Sequence, residues 1–246
     1  MKLFWGLLMM VLPTLVPIAA AHLVPAVPAV DFGLIKEADG PVSRKLYILN
    51  RDTLPVTILR VVPTCGCTAA DFYKDPVAPG DSAWIDLIYN PELRPGRFEK
   101  AIRIYPSHGE TVRIPITGVV DASESTLEYL YPEKAGLLRL TQTQFMNLNP
   151  LIESERIYYA DAYNSTDSPV WVKIVNEDSA VETDVDPNPV PPKERSTISL
   201  FVDPDNKTRK NESGYTVKLY NSDSPDDIMN STPVELKIIT ENHGTP

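Results

Sequence analysis

The residues best suited to chemistry in this sequence are two cysteines, Cys65 and Cys67, which are separated by a single glycine. Thiols at this spacing can form a redox disulfide or supply half of a site for a soft metal such as copper. A thioredoxin-like site needs Cys-x-x-Cys at a helix start, and neither feature is present here. We expect the cysteines to pack, or to pair as a local disulfide, at a strand end, with Gly66 allowing the tight turn. Redox or copper chemistry at the pair is the alternative, and no metal site is predicted.

The three histidines form no catalytic or zinc-binding pattern. His22 lies in a proline-rich lead-in, His108 in a Ser-His-Gly turn and His243 in the C-terminal tail, and none has a Cys, Asp or Glu at ligand spacing. Gly-x-Ser-x-Gly, P-loop and Gly-x-Gly-x-x-Gly motifs are also absent from the sequence. The prolines of residues 184–192 predict a stiff turn rather than a calcium loop. We therefore expect no enzymatic activity and no cofactor.

The composition is that of an ordinary globular protein. The chain has 246 residues, of which 43% are hydrophobic and 23% are charged, so it can bury a core. Its net charge of −10 gives it no means of attracting phosphates, and we expect no nucleic-acid binding. The excess of 24 prolines over 11 glycines argues against long helices and favours short strands joined by stiff turns.

The N-terminus indicates the compartment. A basic Lys2 precedes an uncharged apolar run over residues 3–18, and three alanines follow, which predicts a signal peptide over residues 1–21 with cleavage after Ala21. An uncleaved anchor helix is the alternative, but prolines interrupt the run and it is shorter than the ~20 residues that a span needs. We expect an extracytoplasmic protein, in the periplasm or cell envelope, with no membrane span in the mature chain.

The rest of the chain alternates between short apolar strands and proline-containing turns. After a lead-in over residues 22–30, apolar residues recur at every second position, as in Leu46 and Ile48 or Ala83, Ile85 and Leu87. No stretch shows the apolar spacing of a helix across three turns. Short strands of this kind, separated by turn residues, predict an all-β fold built as a sandwich.

The second half of the chain repeats the pattern of the first. Asn50 precedes Pro55-Val56 by five positions, and Asn164 precedes Pro169-Val170 by the same step. We therefore predict tandem immunoglobulin-like β-sandwiches over residues 31–120 and 137–241, with a linker over 121–136 and a tail over 242–246. The two asparagines should lie at equivalent strand ends, and the aromatic residues of the linker should dock onto a domain.

Several separated motifs of the first repeat resemble a known family. They are Asp31-Phe32-Gly33, Gly40-Pro41-Val42-Ser43, Asn50, Thr64-Cys65-Gly66-Cys67-Thr68, Pro79-Gly80, Tyr89-Asn90-Pro91 and Arg94-Pro95-Gly96-Arg97-Phe98. Together they are similar to the family catalogued as domain of unknown function 1573, which is common in secreted Bacteroidetes proteins. That family looks like the immunoglobulin-like domains of the ASPM, SPD-2 and Hydin group. The resemblance implies a fold and a compartment but no activity, and the second repeat lacks both the cysteines and the Arg-Pro-Gly.

Aromatic residues on outward strand positions are candidates for a contact surface. Trp84 alternates against Ala83 and Ile85, and the second repeat carries Trp171, Tyr159 and Tyr163 at comparable positions. A sandwich buries one face of each sheet, so some of these side chains must lie outside or between the domains. Exposed Trp and Tyr are typical of protein or glycan contacts. The alternative is that they seal the interface between the two sandwiches.

These observations predict a non-catalytic extracytoplasmic binding or scaffolding protein whose partner is a protein or a cell-envelope glycan. One alternative is a periplasmic assembly chaperone resembling the pilus chaperones, which capture a subunit along the last strand of the first domain. Here that strand would span residues 110–120 and carry only Arg113 as a cation. A further alternative is a thiol- or copper-handling protein that uses Cys65 and Cys67.

Three short segments resemble the Asp-Ser/Thr acceptor of O-linked glycans in periplasmic Bacteroidetes proteins. They are Asp52-Thr53-Leu54, Asp81-Ser82-Ala83 and Asp178-Ser179-Ala180, all in predicted turns. Turns can present a hydroxyl without disturbing a core. We therefore predict Thr53, Ser82 and Ser179 as glycosylation sites.

Overall fold

The computed structural model describes residues 23–146, 157–176, 180–202 and 214–239. The predicted signal peptide with its cleavage site at Ala21, the candidate glycosylation site Ser179, His243 and the tail 242–246 lie outside the described residues. Nearly all regular structure within these ranges is β-strand. No helix of the described residues is long and apolar enough to cross a membrane.

The first sandwich contains eight strands in two sheets. The strands are β1 (Leu23–Pro25), β2 (Val30–Lys36), β3 (Val42–Asn50), β4 (Ile58–Pro63), β5 (Thr68–Phe72), β6 (Ser82–Tyr89), β7 (Gly96–Pro106) and β8 (Val112–Asp121). One sheet has the order β1-β3-β6-β5 and the other β2-β8-β7-β4. This is the strand arrangement of an immunoglobulin-like sandwich in which the first strand is divided between the sheets. The pairing of β2 with β8 is parallel.

The second sandwich repeats this order and adds one edge strand. Its strands are β9 (Glu133–Ala135), β10 (Leu138–Leu140), β11 (Gln144–Met146), β12 (Ile157–Asn164), β13 (Trp171–Val175), β14 (Val181–Asp186), β15 (Arg195–Val202), β16 (Gly214–Ser222) and β17 (Val234–Ile239). The sheets have the orders β14-β15-β12-β10-β9 and β11-β17-β16-β13, and β11 pairs with β17 in parallel. The predicted fold, all-β with tandem immunoglobulin-like sandwiches, is therefore confirmed.

Each sandwich encloses its own apolar core, as the alternation of the sequence predicts. In β6 the side chains of Ala83, Ile85 and Leu87 are buried while those between them face outward. In the second sandwich Ile198 and Leu200 of β15 are buried in the same way. Period-two alternation places these residues between the two sheets of each domain.

The two repeated asparagines occupy equivalent strand ends, which confirms the expectation from the sequence. Asn50 ends β3, and its Nδ2 donates to the carbonyl oxygens of Leu54 (2.9 Å) and Val77 (2.8 Å). Its Oδ1 accepts from the backbone N–H of Asp52 at 2.8 Å. The buried amide therefore ties the end of the strand to two loops and shapes the turn that follows.

Asn164 makes the same set of bonds at the end of β12. Its Nδ2 donates to the carbonyls of Ser168 (2.7 Å) and Val190 (3.0 Å), and its Oδ1 accepts from the N–H of Thr166 (2.9 Å). Both asparagines are fully buried. One sequence signal thus specifies the same local structure in both domains.

A short helix connects the sandwiches. The helix α1 (Glu124–Leu130) begins after Ser123, whose side chain accepts a hydrogen bond from the Thr126 N–H at 3.3 Å. The residue that follows the helix, Tyr131, is buried against Tyr163 of β12 with 5.4 Å between ring centroids. An aromatic residue of the linker therefore docks onto the second sandwich.

Candidate functional site

The linker is fixed to the first sandwich by the carboxylate of Glu37. Its oxygens accept from the Thr126 hydroxyl (2.6 Å) and from the backbone N–H groups of Ser123 (2.8 Å) and Leu93 (2.7 Å). Burial by itself would raise the pKa of Glu37, but these hydrogen bonds outweigh it and hold the pKa below its ordinary value. The start of α1 and the β6–β7 turn are therefore held in one arrangement.

Tyr163 fixes the second sandwich to the same junction. Its hydroxyl accepts from the Ala122 N–H at 3.1 Å and donates to the Val120 carbonyl at 3.3 Å, and burial raises its pKa to about 12. Tyr163 is fully buried. The prediction that it belongs to an exposed contact surface is wrong, because the linker covers this part of the outer sheet face.

Charged side chains close the junction on its other side. Arg97 of β7 donates to both carboxylate oxygens of Glu194 in the second sandwich, with Nη2 2.7 Å from Oε1 and Nε 3.2 Å from Oε2. Lys193 lies 3.4 Å from Asp121 at the end of β8. These contacts and the buried tyrosines define how the two sandwiches face each other.

An open cavity of about 390 Å³ lies between the sandwiches, and we call it the interdomain cleft. The first sandwich supplies its disulfide loop, the β6–β7 turn and part of β7, and the second sandwich and the linker supply the opposite wall. Four cations and no acidic side chain are among the described residues that line it. The lining residues include Cys65, Tyr89, Arg94, Lys100, Tyr131 and Arg195.

A disulfide forms one edge of the interdomain cleft. Cys65 and Cys67 are bonded to each other, with 5.3 Å between their Cα atoms, in the turn between β4 and β5. Thr68 Oγ1 lies 3.5 Å from the sulfur of Cys65. Bonded sulfurs are not thiolate ligands, and no group of three or more His, Cys, Asp or Glu among the described residues could hold a metal ion.

The turn before β7 brings Arg94 to the cleft through unusual backbone angles. Leu93 has a φ of 55° and Gly96 a φ of 89°, both in the left-handed region. Leu93 is not a glycine, so its conformation needs support, and the hydrogen bond from its N–H to Glu37 supplies it. The Arg-Pro-Gly-Arg motif therefore serves to position cations at the junction.

Lys100 reaches the cleft from an inner-face position of the sheet. It lies opposite the buried Ile116 and has the same alternation as Phe98 and Ile102, which are also buried. Lys100 itself is exposed and lines the interdomain cleft. A lysine is unusual at a position that strand alternation places on the inner face of a sheet, because burying its ammonium group there would carry a large desolvation cost.

Three of the four cations have no carboxylate partner in the part of the chain that the structure describes. Arg97 is paired with Glu194, whereas no ion pair among the described residues joins Arg94, Lys100 or Arg195 to an acidic side chain. Arg94 donates to the backbone carbonyl of Glu92 at 2.5 Å. Burial raises the pKa of Tyr131, and the nearby Arg195 guanidinium partly opposes this effect. The interdomain cleft therefore has a net positive charge in a protein whose formal charge is −10.

Tyr89 adds a buried hydroxyl to this cleft. Its ring stacks on Phe98 with 4.1 Å between centroids, and only 1% of the residue is exposed. Its hydroxyl makes no hydrogen bond within the part of the chain that the structure describes. Burial raises the pKa of Tyr89, and the nearby Arg94 guanidinium partly opposes this effect. A neutral phenol beside cations is a hydrogen-bond donor without an acceptor.

The remaining aromatic candidates do not form one surface. Trp84 is half-buried on the outer face of β6, opposite Tyr47 and with Lys45 Nζ 5.3 Å from its ring. Trp171 lies on β13 and Tyr159 on β12, which belong to different sheets of the second sandwich. The three positions therefore belong to three separate sheet faces.

The strand predicted for subunit capture is largely enclosed. β8 is hydrogen-bonded to β7 on one side, and its residues Ile116 to Asp121 pair with β2 on the other. An added strand needs an open sheet edge. Capture along this part of β8 would require β2 to leave.

His108 has an acidic neighbour that sequence spacing did not indicate. Its Nε2 lies 3.2 Å from Asp52 Oδ2, and its Nδ1 lies 3.1 Å from Ser107 Oγ. Ser107 Oγ also accepts from the Thr57 N–H at 3.2 Å. The contacts among Asp52, His108 and Ser107 join the β7–β8 turn to the β3–β4 turn, and we assign them a structural role.

Two of the three predicted glycosylation sites lie on the described surface. Thr53 is exposed in the turn after β3, and Ser82 is exposed as the first residue of β6 rather than in a turn. Ser82 lies opposite Leu49 in the sheet. Both hydroxyls are accessible to solvent.

Residues 26–120 match the family described as Protein of unknown function (DUF1573), and the resemblance found in the sequence is confirmed over that range. No functionally curated protein matches the sequence. A protein of unknown function from Porphyromonas gingivalis W83 is similar in structure, with 12% identity, a TM-score of 0.38 and coverage of 89% of this chain and 99% of that one.

Two further solved structures are also similar to this chain. The YadV chaperone has 12% identity, a TM-score of 0.31 and coverage of 88% of this chain and 99% of its own. The ASH/PapD-like domain 7 of human CEP192 has 12% identity, a TM-score of 0.35 and coverage of 49% of this chain and 99% of its own.

Proposed function

We propose that this protein is a non-catalytic binding protein of the bacterial cell envelope, and that its interdomain cleft is where a partner binds. The observation that carries the proposal is a group of three cations in that cleft that have no carboxylate partner within the described ranges. These cations are exposed at the cleft, so an anionic group of a partner can reach them and would be attracted to their shared positive charge. The partner is a protein or a cell-envelope glycan.

The way the cleft is built supports a binding role. Its two walls come from different sandwiches, and they are held by the buried hydroxyl of Tyr163, the Glu37 carboxylate and the Arg97–Glu194 pair. A site held in place before binding loses less conformational freedom when the ligand arrives. The described residues provide walls and charges for recognition, and we assign them no catalytic step.

An extracytoplasmic location agrees with the chemistry of the cleft. A Cys65–Cys67 disulfide persists in an oxidising compartment and is rare in the cytosol. The predicted signal peptide would deliver the chain to such a compartment. The intact mass of the protein purified from its native envelope tests this location. The mass should correspond to a chain that starts at His22, and a mass that includes residue 1 would contradict the proposed location. Extra mass lost on Thr53→Ala or Ser82→Ala would identify the proposed glycans.

Thiol exchange is the second candidate function, and one observation favours it. The disulfide lines the same cleft as Arg94 and Lys100, and neighbouring cations stabilise the thiolate that leaves when a disulfide is attacked. A substrate thiolate would attack one sulfur, form a mixed disulfide and release the other as a thiolate. In the Cys67→Ser variant the reverse step is available: the Cys65 thiolate would attack a substrate disulfide, form a mixed disulfide and release one substrate sulfur as a thiolate. Isolating that mixed disulfide, which the variant cannot resolve with a second cysteine, would favour this function.

Site-specific crosslinking tests the binding function. A photoreactive residue in place of Leu93, at the rim of the interdomain cleft, should form adducts with envelope components in native cells. The matched control is Leu59, which is exposed on the outer face of β4 away from the cleft. Adducts at Leu93 that disappear when Arg94→Gln is added support the proposal. Equal adducts at both positions, or none at Leu93, would overturn it.

A further inference from the structure

We infer that the interdomain cleft recognises an organic carboxylate, a carboxyl group carried on an apolar body. The inference rests on the proposed binding function and names the chemistry of the ligand. Three features of the cleft support it independently: its cations, the Tyr89 hydroxyl and its apolar wall.

The cations identify the ligand as an oxyanion. Arg94, Lys100 and Arg195 reach the cleft from three different places in the fold, namely the β6–β7 turn, β7 and the start of β15. Guanidinium groups bind planar oxyanions through paired N–H donors, and an ammonium adds a third point of attraction. Arg97 is excluded from this group because Glu194 already occupies its donors.

The Tyr89 hydroxyl is the second feature. It belongs to a residue that is 1% exposed, and it has no acceptor among the described residues. A buried hydroxyl without a partner is costly unless a ligand or water accepts its hydrogen bond. A carboxylate oxygen placed between Arg94 and Tyr89 would satisfy the phenol and the guanidinium together.

The apolar wall separates an organic acid from an inorganic ion. Leu93, Pro95, Phe98 and Leu130 line the same cavity as the cations. A free phosphate or sulfate gains nothing from contact with these side chains, whereas an apolar group attached to a carboxylate buries surface against them. An acyl amino acid and the free end of a polypeptide share this chemistry.

Titration of the purified protein with N-acetyl-leucine tests the inference, with N-acetyl-leucinamide and inorganic phosphate as comparison ligands. Backbone amide signals of Gly66 and Leu93 in NMR spectra should shift and saturate with the acid. The amide, which lacks the negative charge, should bind about tenfold more weakly or not at all. Binding of the acid should weaken as salt is raised, because the cations are exposed.

Substitutions separate a ligand contact from a structural role. Tyr89→Phe should weaken binding of the acid about fivefold while leaving the unfolding midpoint of the free protein unchanged or higher, because the hydroxyl has no partner there. Arg195→Gln and Arg94→Gln should each weaken it about tenfold. Arg103→Gln, on an exposed position of β7 outside the cleft, removes the same charge and should leave the affinity within about twofold.

Three results would overturn the inference. They are equal affinity for the acid and its amide, tighter binding of inorganic phosphate than of the acid, and an affinity that Tyr89→Phe and Arg195→Gln leave unchanged. If the acid fails to bind while crosslinks at Leu93 still form in cells, the carboxylate assignment is wrong and the binding function stands. If both fail, the binding function is wrong as well.

Discussion

At the scale of single residues, the fold depends on polar side chains buried at strand ends. Asn50 and Asn164 supply hydrogen-bond partners to the turns that follow their strands. Each side-chain amide donates to two backbone carbonyls and accepts from one backbone N–H. Buried backbone groups must find partners, so the loops after β3 and β12 depend on these side chains. An apolar residue of similar size would remove three hydrogen bonds from either strand end.

We expect Asn50→Ala to lower the free energy of unfolding by about 2–4 kcal/mol, because it removes three hydrogen bonds, one of them to the buried Val77 carbonyl. Urea denaturation measures this directly. Asn230→Ala is the matched control: its side chain is exposed and bonds only Asp227, so the change should stay within about 0.5 kcal/mol. An effect of Asn50→Ala no larger than that of the control would contradict the assigned role.

The Cys65–Cys67 disulfide should contribute little to stability. It closes a loop with one intervening residue, so it removes little chain entropy from the unfolded state. Its contribution to the free energy of unfolding should therefore be about 1–2 kcal/mol at most. The double substitution Cys65→Ser and Cys67→Ser should therefore fold and unfold cooperatively. Thermal denaturation checks this, and a fall in the midpoint of more than about 10 °C would show a larger structural role.

At the scale of elements, the strands were predictable and the junction between domains was not. Period-two alternation and the Asn-to-Pro-Val spacing identify strands and the repeat because both are local signals. Tyr163 has the alternation of an exposed residue, and the linker buries it through Leu127 of α1 and Tyr131 just after the helix. Arg94, Lys100 and Arg195 are separated in sequence, and the packing of two domains is what brings them together. The sequence signal that could have indicated the cleft was the Arg-Pro-Gly-Arg turn, followed by a lysine at a strand position that alternation places on the inner face.

Tyr163 makes the junction sensitive to alkaline pH. Its pKa is raised from 10.0 to about 12 in the folded protein, so its contribution to stability is complete below pH 10 and is lost as the pH rises towards 12. We expect Tyr163→Phe to destabilise the protein by about 1–2 kcal/mol at neutral pH, because Val120 and Ala122 lose a partner. The difference from the wild type should narrow above pH 10.

Denaturation of both proteins at neutral and alkaline pH measures that difference. Tyr159→Phe is the control, since Tyr159 lies on the same strand and the same sheet face but is 55% exposed. It should change neither the stability nor its pH dependence. A Tyr163→Phe protein whose stability falls with pH in parallel with the wild type would show that Tyr163 ionises as freely in the folded state as in the unfolded chain.

At the scale of the whole molecule, the distribution of charge matters more than its sum. The chain is acidic, with 33 acidic residues against 23 lysines and arginines, yet the cavity between its domains is lined by cations alone among its charged groups. A cleft lined by one sign of charge focuses its field and attracts the opposite charge. The acidic remainder of the protein would repel an anionic ligand, so an anion should bind selectively in the interdomain cleft.

The geometry of that junction should depend on the pair between Arg97 and Glu194. Arg97→Glu places two carboxylates where the pair was, and their repulsion should loosen the arrangement of the two sandwiches without unfolding either one. Arg97 is exposed and Glu194 is largely buried. A partly exposed pair contributes about 1 kcal/mol, so we expect a broader distribution of interdomain distances rather than separation. Spin labels at Leu59→Cys and Met229→Cys, both exposed and on different sandwiches, report these distances.

The reciprocal exchange provides the control for this prediction. Arg97→Glu combined with Glu194→Arg restores opposite charges across the junction, so the distance distribution should narrow again towards that of the wild type. Raising the salt concentration should broaden the wild-type distribution and sharpen that of Arg97→Glu, because screening weakens attraction and repulsion alike. If Arg97→Glu leaves the distribution unchanged, the buried contacts of Tyr131 and Tyr163 suffice to hold the sandwiches, and the Arg97–Glu194 pair is dispensable for the shape of the cleft.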